Sequence, residues 1–140
     1  MFGILPIIHA SGSDITRSAA GRVNIESVWL PSMLSGDGVS WTTPDASHLH
    51  ARFTGHNEAA EIDYLIDEMS CLKTVSMPRW GNPGGTEFHY ENFGCIVEAE
   101  GRFGGYTIPT RMRVGWSFAT DRFESNGKFF RVIIDDATYR

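Results

Sequence analysis

The alternation of apolar and polar residues predicts a long β-strand in the second half of the chain. From Thr110 onward every second residue is apolar, at Met112, Val114, Trp116 and Phe118. The positions between them are charged or small, at Arg111, Arg113, Gly115 and Ser117. A period of two residues is typical of a half-buried strand in an antiparallel sheet. We therefore expect the four apolar side chains to share one face of that sheet.

The same alternation predicts six more strands. They cover about residues 39–42, 48–54, 60–66, 71–77, 87–100 and 128–135, and the strand described above covers 106–118. Stretch 101–105, G-R-F-G-G, is expected to form the hairpin between the two longest strands. The last strand is apolar at both sets of alternate positions, which favours a central strand or one covered on both sides.

One helix is predicted near the start of the chain. Residues 11–14, S-G-S-D, are typical of a helix N-terminus. Pro31 is expected to end the helix by moving Leu30 out of the α region. Between them, apolar residues recur at helical spacing, at Ile15, Ala19, Val23 and Leu30. Gly21 indicates a close approach of this helix to the sheet.

These elements together favour an α+β fold. The prediction is a curved antiparallel meander of about seven strands, with the N-terminal helix packed on its concave face. The length of 140 residues fits a single domain over residues 1–140.

Composition and charge argue against several classes of partner. The formal net charge is −5, and the arginines are scattered rather than grouped in a basic block. Binding to nucleic acid or to an anionic membrane surface is therefore not expected. The apolar stretch 4–8 is too short for a signal peptide or a membrane span and is interpreted as a strand or an extended arm. We expect a soluble, cytoplasmic protein.

Four groups of residues carry candidate chemistry, and none predicts a cofactor. Cys71 and Cys95 are interpreted as buried free thiols, with a cross-strand disulfide as the alternative. His48 and His50 lie on one strand face and are weak candidates for a metal site, against a solvent-facing polar stripe. Glutamates at 91, 98 and 100 are best explained by ion pairs with arginines on the next strand. The glycines at 101–105 lie between strands, so they do not form a dinucleotide-binding loop.

Several stretches in order along the chain resemble an uncharacterised bacterial family, a domain of unknown function. They are R-S-A-A-G-R at 17–22, W-L-P-S at 29–32, G-V-S-W at 38–41 and G-Y-T-I-P-T at 105–110. The resemblance implies no activity, cofactor or catalytic residue. It implies that the chain corresponds to the C-terminal portion of a longer family fold. It also implies a sheet similar to the curved half-barrel of bacterial lipoprotein carriers, which hold an acyl chain.

We interpret the chain as a non-enzymatic binding or interaction module that holds an apolar small molecule on the concave sheet face. The predicted ligand-binding residues are Trp116, Met112, Val114 and Phe118 on the sheet, with Val23 and Ala19 opposite them on the helix. One alternative is a hydrolase-like enzyme that uses a His/carboxylate pair such as His50 and Glu61. Another is a self-associating fragment, a homodimer or larger homo-oligomer that covers an exposed sheet edge.

Overall fold

The computed structural model describes residues 12–85, 87–124 and 128–139, so the strand or extended arm predicted at 4–8 lies outside the described residues. The chain begins with helix α1 (Gly12–Ile25), a 3-10 turn (Glu26–Trp29) and the short helix α2 (Pro31–Leu34). The strands that follow are β1 (Ser40–Asp45), β2 (His48–Gly55), β3 (Glu58–Ile66), β4 (Leu72–Gly81), β5 (His89–Phe103), β6 (Tyr106–Trp116) and β7 (Lys128–Ile133).

The strands of the described residues form one open sheet in the order β1-β2-β3-β4-β5-β6-β7. Every neighbouring pair is antiparallel. Each strand therefore pairs with the strands next to it in sequence, as in a meander. The predicted α+β fold, with an antiparallel meander and an N-terminal helix packed on it, is confirmed.

Tight turns fix the register of two hairpins. His56 and Asn57 join β2 to β3 with φ angles of 55° and 63°. Gly104 and Gly105 join β5 to β6 with φ angles of 56° and 87°. Positive φ angles at both central residues produce the backbone twist that suits a two-residue hairpin. The hairpin predicted at 101–105 is confirmed, but its turn is shorter, because Gly101 already pairs with Ile108.

Helix α1 packs against the sheet with a face that the apolar spacing did not predict. Its buried residues are Ala20, Gly21, Asn24 and Ile25. The side predicted to be apolar is exposed instead, at Ile15, Ala19, Val23 and Leu30. The prediction is wrong because the buried face includes polar Asn24, whose amide bonds to backbone carbonyls of the β2–β3 hairpin.

Gly21 has the role that the sequence predicts. The side chain of Arg79 on β4 crosses the helix so closely that a Cβ at Gly21 would lie 3.0 Å from the Arg79 Cγ. A larger residue would separate α1 from the sheet. Leu30 leaves the helical conformation, with φ −126° and ψ 71°, and Pro31 then begins α2.

The hydrophobic core lies between the helical segment and one face of the sheet, which we call the inner face. Core residues from the strands include Ile62, Val75, Phe93, Met112 and Val114. Ile25 and Val28 contribute from the helical segment. The opposite side of the sheet is called the outer face. Within the described residues, no helix is both long enough and apolar enough to cross a membrane.

The prediction for the last strand is wrong. Among the described strands, β7 pairs only with β6 and lies at the edge of the sheet. Val132 is half-buried and packs against the core, whereas Ile133 is 65% exposed. An apolar run shows which side chains could be buried, but it does not show whether a neighbouring element covers each face.

Candidate functional site

The residues predicted to form one ligand-binding wall lie on both faces of the sheet. Met112 and Val114 are on the inner face, buried within the core. Trp116 ends β6 and packs edge-on against Phe93, with ring centroids 5.1 Å apart. Phe118 lies on the outer face, because its ring covers Gly94, which pairs between β4 and β6. The expected common face therefore ends at Trp116.

The backbone after β6 explains why Phe118 changes face. Ser117 and Ala119 both have left-handed conformations, with φ angles of 57° and 64°. Such angles are uncommon for residues with a side chain and break the alternation of a strand. The reversal places the Phe118 ring above the flat backbone of Gly94, where a Cβ would lie 2.8 Å from the Phe118 Cγ.

Among the described residues, the inner face carries a cavity that is small for a ligand. A cavity of about 30 Å³ lies between the helical segment and the sheet, lined by apolar residues that include Ile25, Trp29, Cys95, Met112 and Val114. This volume suits one or two water molecules rather than an acyl chain. Ala19 and Val23, which were predicted to face Met112 and Val114, are exposed on α1 and do not line this cavity.

The outer face carries a much larger groove, of about 420 Å³. Its floor is a row of three side chains from adjacent strands, Leu65, Thr74 and Ile96, which are paired in register. Its wall is the segment after β6, with Phe118, Ala119, Thr120, Phe123 and Glu124. We call this space the outer groove. Most of its lining is apolar, so it can accept an apolar molecule.

A compact turn holds the wall of the outer groove in place. The Thr120 hydroxyl donates to the Ser117 carbonyl over 2.6 Å, and the Phe123 amide donates to the Thr120 carbonyl over 3.2 Å. Phe118 and Phe123 pack edge to face, with ring centroids 5.3 Å apart. Phe123 is 3% exposed, so it anchors the turn while Phe118 remains accessible.

At one end of the outer groove, an arginine makes ion pairs with two glutamates. Arg113 follows Ile96 in the same cross-strand row. Its guanidinium lies 3.0 Å from Glu98 and also bonds to Glu124, which lines the groove. The Glu98–Arg113 pair confirms the predicted cross-strand ion pairing. A bound molecule would therefore meet a polar end with no large net charge.

The sequence interpretation missed most of the outer groove. Its floor residues lie at strand positions that face away from the core. A signal was present at Leu65, because the outward positions before it on β3 are Glu61 and Asp63. When an apolar residue follows two charged residues at alternate, outward-facing positions of a strand, it indicates that another segment covers the sheet at that point.

The two histidines bind different carboxylates. The Nδ1 of His48 lies 2.9 Å from each carboxylate oxygen of Asp45. His50 is placed between Asp63, 2.7 Å from its Nδ1, and Glu61, 3.2 Å from its Nε2. The hydrogen bond to Asp63 raises the pKa of His50 above 6.5, against an opposing effect of burial.

These histidine contacts do not assemble a larger site. Among the described residues, no group of three or more histidines, cysteines, aspartates or glutamates is arranged to hold a metal ion. The contact between His50 and Glu61 exists as the enzyme alternative requires, but Glu61 is also bound by Arg52. The arrangement is that of an ion-paired strand surface.

Both cysteines are free thiols, as predicted, but the prediction that both are buried is wrong for Cys71. Cys71 is partly exposed, and Cys95 is buried in the core. Burial raises the pKa of the Cys95 thiol to about 12, which keeps it protonated at neutral pH. A protonated thiol is a poor nucleophile, so Cys95 acts as a packing residue.

The open meander with a helix on one face defines an α+β domain, and its described residues form an apolar groove on the outer face. The model of the family of unknown function DUF6920 matches residues 1–139. The chain belongs to this family. No curated protein and no solved structure matches the chain.

Proposed function

We propose that this chain is a non-enzymatic binding module that holds an apolar small molecule in the outer groove. The observation that carries the proposal is the volume of about 420 Å³, which falls within the usual range of about 300–1,000 Å³ for small-molecule sites. The inner cavity of about 30 Å³ falls far below that range. The proposal keeps the ligand class expected from the sequence and moves its site to the other face of the sheet.

The shape of the outer groove favours an elongated molecule such as a fatty acyl chain. Its floor runs across three strands, which lie about 4.8 Å apart, so the row spans roughly 10 Å. Phe118 provides an aromatic wall, and the Arg113–Glu124 pair lies at one end.

The backbone that shapes the groove also supports a functional role. Left-handed conformations at residues with side chains cost roughly 1–2 kcal/mol each. Ser117 and Ala119 both adopt them, and together they place Phe118 over the outer face. Strained backbone of this kind is concentrated at binding and catalytic sites.

The proposal is tested by titration with dodecanoate and with an environment-sensitive apolar dye. Saturable binding of both, with a rise in melting temperature, is expected for the unmodified chain. Ile96→Gln places an amide on the groove floor and should remove the effect. Ile133→Gln is the matched control, because Ile133 is 65% exposed and does not line the groove.

Absence of saturable binding would contradict the proposal. So would equal binding by the two variants, because the ligand would then lie elsewhere on the chain.

Self-association is a second candidate function, favoured by the sheet edges. All six residues of β1 are exposed, including Trp41, and β7 exposes Ile133. Neither strand has a second strand partner among the described residues. Exposed strand edges can pair with a second copy of the same chain. Light scattering at micromolar concentration distinguishes a monomer from a self-associated chain. A mass equal to one chain would contradict self-association.

A further inference from the structure

The guanidinium of Arg17, on α1, lies within an aromatic site formed by β4 and β5. Its Cζ is 3.9 Å from the ring centroid of Trp80 and 5.5 Å from that of Tyr90. The two rings meet edge to face at 5.0 Å, and Phe88 stacks beside Trp80. Aromatic faces arranged in this way attract a cation through the negative potential of their π-electrons.

A shielded carboxylate completes the site. The Glu58 side chain is 10% exposed and accepts a hydrogen bond from the Arg17 Nε over 3.3 Å. Tyr90 connects the two charges, because its hydroxyl donates to Glu58 over 3.0 Å and accepts from the Arg17 Nη2 over 2.6 Å. A carboxylate removed from water in this way requires a cation or strong donors beside it.

The contacts select a planar cation with several N–H donors. The Cζ of Arg17 lies over the Trp80 ring, while its N–H groups donate to Glu58 and Tyr90. An ammonium group is a compact charge that cannot combine stacking with a forked set of donors. The chemistry of the site therefore matches an alkylguanidinium group.

We propose that Trp80, Tyr90 and Glu58 form a binding site for small alkylguanidinium compounds, with Arg17 as the internal occupant that an external ligand replaces. The site, called the guanidinium site, is independent of the outer groove. Access is available from solvent, because the Arg17 side chain is 38% exposed and Tyr90 is 50% exposed.

Release of Arg17 leaves α1 attached to the sheet. The Arg79 Nε donates to the Ser18 carbonyl over 3.1 Å, and the Trp80 indole N–H donates to Asp14 over 3.0 Å. Asn24 adds a bond to the Gly55 carbonyl nearer the end of the helix. An external guanidinium can therefore take the place of the Arg17 side chain without removal of the helix.

The test uses Arg17→Ala, which empties the site, and ethylguanidinium as the ligand. Ethylguanidinium should raise the melting temperature of this variant with saturation and change its tryptophan fluorescence, because Trp80 becomes covered again. The unmodified chain should respond only at higher ligand concentration, since Arg17 competes, and no response at any concentration would contradict the proposal because the ligand would then not replace Arg17. Ethylurea, a neutral compound of similar shape, should have no effect on either protein.

Two further variants keep the test decisive. Arg17→Ala combined with Glu58→Gln should lose the response, because the carboxylate that holds the cation is gone. Arg17→Lys retains a positive charge at the site and serves if Arg17→Ala does not fold. It should bind ethylguanidinium more readily than the unmodified chain, since an ammonium is the weaker occupant.

The proposal is overturned by any of three results. These are no saturable response in both Arg17 variants, an equal response to ethylurea, and an undiminished response after Glu58→Gln. Equal affinity in the unmodified chain and in Arg17→Ala also contradicts it, because Arg17 would then not occupy the site.

Discussion

The side-chain amide of Asn24 on α1 donates to the backbone carbonyl of Gly55 at the end of β2, over 3.1 Å. The same amide also contacts the Glu58 carbonyl across the hairpin, over 3.4 Å. Asn24 is fully buried, so these two bonds are shielded from water. They attach the helix to the β2–β3 hairpin through a polar residue.

Asn24→Ala should lower the free energy of unfolding by about 1–3 kcal/mol, because it leaves buried carbonyls without a donor. Val23→Ala is the matched control one residue away. Val23 is 44% exposed, so its truncation should change stability by no more than about 0.5 kcal/mol. Urea denaturation of both variants measures the difference. Equal losses would contradict the orientation of α1 described above.

Gly94→Ala should destabilise the chain strongly. An added Cβ would lie 2.6 Å from the Val75 carbonyl oxygen and 2.8 Å from the Phe118 ring, so backbone and wall must both shift. Overpacking of this kind costs about 1–3 kcal/mol or more. Thermal unfolding should show the loss, together with weaker dye binding in the outer groove because Phe118 is displaced.

Gly84→Ala provides the control for that substitution. A Cβ at Gly84 meets nothing within 4 Å among the described residues, and its φ angle is not in the left-handed region. Its melting temperature should stay close to that of the unmodified chain. A Gly94→Ala variant as stable as Gly84→Ala would show that Phe118 does not lie against the outer face.

His50 should make the stability of the chain depend on pH. Asp63, and to a lesser extent Glu61, raise the pKa of His50 in the folded state above 6.5. A raised pKa means that the folded chain holds this proton more tightly than the unfolded chain does. The contribution of protonated His50 to the free energy of unfolding is therefore complete below the pKa of His50 in the unfolded chain. It is lost as the pH rises through the pKa of His50 in the folded chain.

Comparison with His50→Gln isolates this contribution. The variant should be less stable by up to about 1 kcal/mol near pH 6, and the difference should shrink as the pH rises through the raised pKa of His50. Urea denaturation across this range measures it. A difference that grows with rising pH would have the wrong sign and would contradict the ion-paired arrangement.

The two cysteines should differ in reactivity in the folded chain. Cys71 is partly exposed, whereas Cys95 is buried with its pKa raised to about 12. An alkylating reagent at pH 8 should therefore modify Cys71 rapidly and Cys95 only after unfolding. Peptide mass mapping identifies the modified residue. Equal rates for the two thiols in the folded chain would contradict the burial of Cys95.

The strands were predictable because half-buried antiparallel strands impose a period of two on the sequence. The same rule placed Phe118 on the wrong face. Ser117 and Ala119 adopt positive φ angles that reverse the backbone, and because neither is a glycine the sequence contained no sign of this. The face of α1 was missed because Asn24, a polar residue, is its fully buried contact. The spacing of apolar residues predicts which side chains are buried only when buried side chains are apolar. The prediction fails where a polar side chain is buried and held by hydrogen bonds.

The outer groove depends on contacts that no local pattern contains. Its floor joins Leu65 to Ile96 across β4, and its wall returns from the end of β6. Strand register and a backbone reversal together create that space. The sequence predicted an apolar ligand on the face that the helix covers, whereas the outer groove lies on the opposite face of the sheet.

The meander order also shapes the route by which the chain folds. Three of the six neighbouring strand pairs are joined by only two residues, so these hairpins require little loop-closure entropy. Docking of α1 is different, because the bond between Arg79 and Ser18 joins residues that are 61 apart in sequence. We therefore expect α1 to dock on the sheet after the hairpins have begun to form. Docking of α1 closes a long loop, so it carries a larger entropy cost than hairpin formation.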